Sequence, residues 1–570
     1  MSKPKKKKDR KRKVSTAHNK RAQVNEVKLS ELKAIIERAK SGALSEGDVN
    51  QLESAVDTLA FLTMELEKKG VSIQRLRQLI FGSSSEKTRD VFSDDNKDKP
   101  KNDLANGDNN NRDEHKASSA QQKPKRKGHG RRAAEQYRGA EKIKVGHQNL
   151  KSGDACPACE RGKLYPQSEP AKLVRVTGMA PLAAKIYELE RLRCNLCGQV
   201  FTAEAPEGVG GQKYDDSATV MLGLLKYGTG LPFNRLQRLQ DSLGIPMPSG
   251  TQWQLVSDGA DKMQPAYQHL VLLAADAEIL YNDDTTMRIL ELEAQRVKAA
   301  TADDDEQQRT GVFTTGIVGT SEEHRIALFF TGQKHAGENL ATVLSKRAKE
   351  LTAPIQMCDM LSRNSPKDFQ TILAGCNAHA RRRYVEVANS FPEQVRHVLE
   401  QLKIIYENDA IAKSENMDKE QRLTFHQNHS GPVMDSLKQW LKEQLEQKKV
   451  EPNSSLGDAI GFMQKHWDRL TLFLMVPGAP LDNNIVERAL KVAILHRKNA
   501  LFYKTNNGAR VGDMYMTLVH TAELNGVNPF DYMVALLRYQ KQVAANPAEW
   551  MPWNYQQSIA RLGLGHAPTP

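Results

Sequence analysis

Three widely spaced acids, Asp283, Asp359 and Glu487, are the residues whose type and setting could hold divalent cations against a phosphate. Asp283 lies in Ala277–Leu292 (AEILYNDDTTMRILEL), which reads as one extended strand with Asp283 and Asp284 in its middle. Asp359 ends the apolar run PIQMCD, the kind of short strand that presents an acid at the carboxyl edge of a sheet. Glu487 belongs to a helix within Leu481–Phe502 (LDNNIVERALKVAILHRKNALF), and Lys491 and Lys498 share its face. Asp482, near that helix start, suits capping of backbone N–H groups. A carboxylate beside a basic stripe fits a metal held next to phosphate; a solvated charged face is the plainer alternative. Two Mg²⁺ ions need hard oxygen ligands, and at roughly 3.5–4 Å apart they clamp a scissile phosphate. The adjacent acids leave the register open, because a slip of one residue would turn Asp284 rather than Asp283 toward the metals.

A second constellation is Cys156-Pro-Ala-Cys159 with Cys194-Asn-Leu-Cys197. Two such knuckles supply four thiolates at Zn–S distances of about 2.3 Å, a closed structural zinc site. Gly162 and Gly198 suit the turns that aim the sulfurs. Four of the six cysteines are thus accounted for without disulfides, as suits a reducing cytoplasm.

The elements that must position these groups are legible in outline. After the strand at Asp283 come apolar, β-branched strands at 311–320 and 325–331, a helix at 337–350, and the strand ending in Asp359. That order is the order of a ribonuclease-H-like core. The long interval from Asp359 to Glu487 reads as a helical insertion, about 385–480. Upstream, a helix from Leu231, with Pro232 in its first turn, stops near Gly244; the turn IPMP leads to a second helix capped by Ser249. This pair resembles a helix-turn-helix with Thr251, Gln252 and Gln254 able to reach base edges, or else it is an ordinary packing unit. Leu52, Leu59, Leu66, Ile73 and Ile80 recur every seven residues, a seam for self-association or for a hairpin within one chain.

The net charge of +13 is concentrated in two tracts: nine basic residues and one acid in 1–13, and six basic residues in 123–132. The remainder is close to neutral, at about −1, so the excess fits sequence-independent phosphate binding, with nuclear localisation or simple solubilisation as rivals. No apolar run reaches the ~18 residues of a membrane span, and the N-terminus lacks the apolar core of a signal peptide. The expected class is multidomain α/β: a basic tail (1–25), a helical coiled-coil region (26–90), a basic linker (91–140) and a zinc-binding module (141–210). A helix-turn-helix-like module (211–270), a ribonuclease-H-like catalytic domain (271–540) and a C-terminal arm (541–570) follow, with Trp550 and Trp553 available to dock that arm.

From about residue 150 to 540 the sequence resembles the insertion sequence 66 family of bacterial transposases. The marks are NDDTT at Asp283, QMCDMLSRN at Asp359, CNAHARRRY at 376–384, DNN-x-x-ER…RKN-x-LF at Glu487, and HTAELNGVNPFDYM at 520–533. The resemblance implies that Asp283, Asp359 and Glu487 form a D-D-E catalytic and magnesium-binding triad, with Mn²⁺ as a substitute ion. His379, Arg381 and Arg382 would lie close by, on DNA phosphates or as a solvated helix face. It further implies binding of double-stranded DNA at terminal inverted repeats, Mg²⁺-dependent cleavage, and strand transfer into target DNA. A homo-oligomer is expected, small accessory proteins of the same element are candidate partners, and the setting is the bacterial cytoplasm at the nucleoid. A non-catalytic DNA-binding descendant is the alternative. Two positions depart from the family pattern: Asp284 replaces a glutamate and Asn377 a tryptophan.

Overall fold

The computed structural model describes residues 212–301 and 309–563, with shorter stretches between 35 and 55, 151 and 165, and 180 and 206. Contacts divide the chain into two compact units: Asp95–Ala183, and Met1–Asp94 with Ala184–Pro570. In the smaller unit Gly153 N–H donates to Leu164, Leu164 N–H donates to Asp154, and Ala155 bridges Lys163, so the chain doubles back. In the larger unit β1 (Arg191–Arg193) pairs antiparallel with β2 (Val200–Thr202). Cys156, Cys159, Cys194 and Cys197 lie outside the described residues, as do the basic tail, the linker, the acidic stretch DDDE at 303–306 and the heptad positions beyond Leu52.

The helices before the sheet correct two expectations. α1 (Asp216–Gly223) is capped by Asp215, whose carboxylate accepts from Ser217 N–H at 2.8 Å. α2 (Phe233–Ser242) and α3 (Ser249–Ala275) follow, the turn between them using Gly244 at φ +73°. Ser249 does not cap α3. It is the first helical residue, and both its N–H and its hydroxyl donate to Gln237 Oε1 on α2. Nor does Gln252 face outward: it is fully buried and its amide donates to the Met247 carbonyl at 2.8 Å. A buried amide that closes the interhelical turn is not available to a base edge.

A five-stranded sheet follows, built from β3 (Ile279–Thr286), β4 (Phe313–Thr320), β5 (Arg325–Gly332), β6 (Ile355–Cys358) and β7 (Ile372–Gly375). Its order is β5-β4-β3-β6-β7; β3, β4 and β5 are antiparallel, and β6 and β7 run parallel to β3. The strand expected over 277–292 ends at Thr286. Leu290 opens a helix, α4 (Leu290–Thr301), with Glu291 and Glu293 in the first turn where the dipole favours acids. The helix after β5, α5 (Ala336–Leu344), is shorter than expected. Beyond it Arg347 donates to the Ala275 and Ala277 carbonyls and draws the chain back to α3.

Helices α6 (Asn377–Glu386), α7 (Pro392–Ser414), α8 (Lys419–His429), α9 (Gly431–Glu446) and α10 (Ser455–Lys465) fill the interval before α11 (Asn484–Ala500). α12 (Asn506–Leu524) packs on β5, and α13 (Pro529–Arg538) packs on α12, α1 and α3. In the C-terminal segment Trp550 is buried against Tyr539, and Trp553 stacks on His324 with 3.9 Å between ring centroids.

The free edge of β5 is closed by α12 through a match of repeats. Two strand residues advance about 6.6 Å and four helix residues about 6 Å, so an i, i+4 row can serve every second strand N–H. Asp513, Thr517, Thr521 and Asn525 do this for Thr331, Phe329, Ala327 and Arg325 respectively. An edge so covered has no unpaired row to offer another chain. Thr517→Val should leave the Phe329 N–H buried and unsatisfied, lowering stability by roughly 1–3 kcal/mol in urea unfolding; an unchanged midpoint would contradict this account.

Candidate active site

Parallel pairing brings two of the acids side by side. Tyr281 in β3 is in register with Met357 in β6, so two residues further along Asp283 adjoins Asp359 at the same sheet edge. Asp359 is held from behind: its Oδ1 accepts from Leu361 N–H at 3.1 Å and from the Asn364 amide at 2.6 Å. The residue after it, Met360, has φ +70°, a turn that strains a non-glycine backbone at the strand tip.

Glu487 arrives on the first turn of α11, which lies over β4 and β3. Gly316, the β4 partner of Asp283, allows the approach: a Cβ there would meet Leu490 at 3.0 Å and Val486 at 3.1 Å. α6 is tied to the start of α11 by Asn377, whose amide donates to the Leu470 and Leu481 carbonyls, and by Asn483 N–H on the Cys376 sulfur. His379 Nδ1 consequently stands 3.6 Å from Glu487 Oε1, and Arg382 is 3.7 Å from Oε2. Arg382 and Arg381 are half-buried, the latter within electrostatic reach of Tyr406. Arg383, the outer member of the run, covers the Phe462 ring at 3.9 Å. The RRR segment is therefore not a uniformly solvated face.

The two adjacent acids of β3 diverge, as alternate strand residues must. Asp284 is almost fully buried and pairs with His335 at 3.1 Å and Arg363 at 3.2 Å. Asp283 has no such cation. Burial, with the negative charges of Asp359, Asp284 and Glu487 adding to it, pushes its carboxyl up to about 7. Burial also holds the His379 imidazole below its usual range, against the opposing pull of Glu487.

Beneath the acids lies a layer of buried amides that sequence reasoning did not single out. Gln356 donates to Asn282 Oδ1 at 2.9 Å and to the Asn364 carbonyl at 2.7 Å, and accepts from Thr371 Oγ1 at 2.8 Å. Asn282 donates to the same Asn364 carbonyl, and Asn483 donates to the Asn282 carbonyl. Asn282, Gln356, Asn364 and Asn483 are all fully buried. The available signal was Gln356, a lone polar residue inside the apolar run PIQMC.

The donor set suits divalent cations. Glu487 Oε1 and His379 Nδ1 are buried without hydrogen-bond partners, and Asp283 is crowded by like charge. Hard carboxylate oxygens, one of them on an Asp283 crowded by like charge, are what Mg²⁺ or Mn²⁺ binds. Cys376, His379 and Glu487 also place ligand atoms within 4.8 Å of one another. Lys491 and Lys498 are exposed on α11. Among the described residues no helix is long and apolar enough to cross a membrane.

The Transposase IS66 family description matches residues 213–511. Three proteins of Sinorhizobium fredii (strain NBRC 101917 / NGR234) are similar. Uncharacterized protein y4jD is 25% identical over 421 residues, 70% of this chain and 78% of its own length. Uncharacterized protein y4hP is 24% identical over 410 residues, 67% of this chain and 70% of its own. Uncharacterized protein y4qI is 30% identical over 188 residues, about a third of each.

Proposed function

The chain belongs to the IS66 family of transposases, and from that premise we propose that it is a DDE-type DNA transposase with Asp283, Asp359 and Glu487 as its catalytic acids. The observation that carries this reading is placement: the β3–β6 register sets Asp283 beside Asp359, and the charges of Asp359 and Glu487, both far away in sequence, act on an Asp283 carboxyl that burial pushes up to about 7. The sheet order, three antiparallel strands and two parallel ones with acids at one edge, supports a ribonuclease-H-like core. The same three carboxylates would hold two Mg²⁺ ions, which supply activation of the attacking oxygen and stabilisation of the leaving one.

The reaction is phosphoryl transfer in two steps. Water attacks the phosphodiester at the element end; a P–O bond forms as the bond to the 3′-oxygen breaks, leaving a 3′-hydroxyl and a 5′-phosphate. That 3′-hydroxyl then attacks a target phosphodiester, joining element to target while the target's own 3′-oxygen leaves with a proton. The chain's task is positioning. Arg382 beside Glu487 and the exposed Lys491 and Lys498 on the same helix are arranged to receive phosphate oxygens. Asn364 and Leu361 N–H hold one oxygen of the Asp359 carboxylate, which leaves the other to serve as a ligand. The partners on this reading are double-stranded DNA of the terminal repeats and target. A second copy of the chain would pair the two ends, with the small accessory proteins as further candidates. Structural zinc on the four cysteines rests on their spacing alone.

The deciding experiment incubates full-length protein with a labelled duplex carrying the element's own terminal repeat, in Mg²⁺ and in Mn²⁺. Cleavage at the repeat boundary followed by joining to target is expected, and Asp284→Asn should keep both within about tenfold, since its partners are His335 and Arg363. Specific binding without cutting in either metal would overturn the enzymatic reading and leave a non-catalytic DNA-binding descendant.

A further inference from the structure

The far end of α11 carries a feature that the acids do not explain. Leu501 adopts φ 69° and ψ −40°, and Phe502 N–H donates back to the Ala500 carbonyl at 2.9 Å. This is a γ-turn of the positive-φ form, rare and strained for a residue with a bulky side chain. The strain does not hide the side chains. Leu501 is 60% exposed and Phe502 37%, with Leu495 at 41% nearly two helical turns before.

Both sides of the turn are clamped. Leu501 N–H still closes the last turn of α11 on Arg497. Tyr503 is buried, stacks on His496, and exchanges backbone bonds with Arg288 and Leu290, while Glu291 N–H donates to Lys504. Arg497 is pinned by Thr285 and Thr286 at the end of β3, the catalytic strand. The tip is thus rigidly referenced to the acids. Its surroundings are basic: Lys498 and Lys504 flank it and Lys491 precedes it, all exposed, and none has a carboxylate partner among the described residues.

An apolar, aromatic tip on a strained turn, ringed by lysines, is complementary to duplex DNA, where cations take the phosphates and the apolar pair enters a base step. Building on the transposase reading above, we propose that Leu501 and Phe502 form a wedge that unstacks one base step of the bound element end. Fourteen residues of α11 separate Leu501 from Glu487, a rise of roughly 21 Å. At 3.4 Å per base pair the wedge enters about six steps from the phosphate at the acids. It acts as a positioning device: an unstacked step at fixed distance sets which phosphate reaches the acids.

The test uses full-length protein and terminal-repeat duplexes carrying a single 2-aminopurine at successive positions about three to ten nucleotides from the boundary. Wild type should raise the fluorescence several-fold at one or two adjacent positions near the sixth. Leu501→Ala combined with Phe502→Ala should abolish the rise and scatter the cleavage position, while binding stays within about tenfold and its salt dependence is kept. Phe502→Leu should retain part of the rise, which distinguishes loss of the wedge from misfolding. Lys504→Ala should instead lower the salt slope by about one. If the duplex is bound and cut but no position brightens, or the double variant brightens it equally, the wedge is wrong and the transposase reading stands. If the duplex is neither bound nor cut, both fall. Loss of self-association in the double variant, with unstacking unchanged, would make the tip a protein contact instead.

Discussion

Asp283→Asn should reduce cleavage and joining by at least about a thousand-fold while making the metal-free protein more stable at pH 8. The first effect follows from removing a carboxylate that adjoins Asp359 and feels the charge of Glu487: several kcal/mol of charge stabilisation at the reacting phosphate is lost, and each 1.36 kcal/mol is tenfold. Glu487→Gln should match it in activity with terminal-repeat binding intact. The second effect follows from the carboxyl being held up to about 7, mainly by burial. Between about pH 4 and 7 the unfolded chain releases a proton that the folded chain keeps. Stability therefore falls as pH rises through that window and stays low above it. An amide carries no such penalty, so the gain at pH 8 is roughly 2–4 kcal/mol. Asp513, buried behind β5 and also pushed up to about 7, imposes the same slope, so part of the pH dependence should survive in Asp283→Asn. Added Mg²⁺ should stabilise wild type more than the variant. Equal melting temperatures for the two metal-free proteins at pH 8 would show that Asp283 is not held in this crowded, desolvated setting.

Gln356→Leu should cost roughly 3–5 kcal/mol and impair activity as well. Leucine is similar in size, but it leaves the Asn282 side-chain oxygen without that donor and removes the acceptor of Thr371 Oγ1, all in a dry layer. Each orphaned buried polar group costs about 1–3 kcal/mol. The layer also reaches the chemistry, because Asn364 both receives the Gln356 amide on its carbonyl and donates to Asp359. Urea unfolding reads the first effect and turnover at saturating Mg²⁺ the second. A loss under about 1 kcal/mol would mean that this amide network is not what fixes the Asp359 loop.

Local pattern was enough to locate the strands at 313–320 and 325–332, the strand leading to Asp359 and the helix carrying Glu487, because alternation and helical spacing are properties of neighbouring residues. It was also enough to nominate the acids and the basic residues on α6 and α11. Between β3 and α4 it failed: ILEL alternates as a strand would, yet the acids at 291 and 293 favour a helix start once Ile289 is bridged to Tyr503. At Gln252 it failed for a different reason. A polar residue in a second helix looks like a base reader until the turn before it needs an internal donor for the Met247 carbonyl.

The chemistry of the acids was determined by the sequence itself; which acid faces which was decided only by tertiary structure. Asp283 and Asp284 are equivalent in one dimension. They separate because His335 and Arg363, brought in by α5 and the loop after β6, claim Asp284, leaving Asp283 on the face of Asp359 and Glu487. The same holds for the wedge. RKNALFYK contains one of the marks of the family resemblance, but the string does not show a turn; the positive φ of Leu501 and the exposure of its side chain appear only with Tyr503 clamped to Arg288 and Leu290. Residue types fix charge, size and hydrogen-bonding capacity. Direction and proximity across long intervals of chain come from packing, which no local pattern encodes.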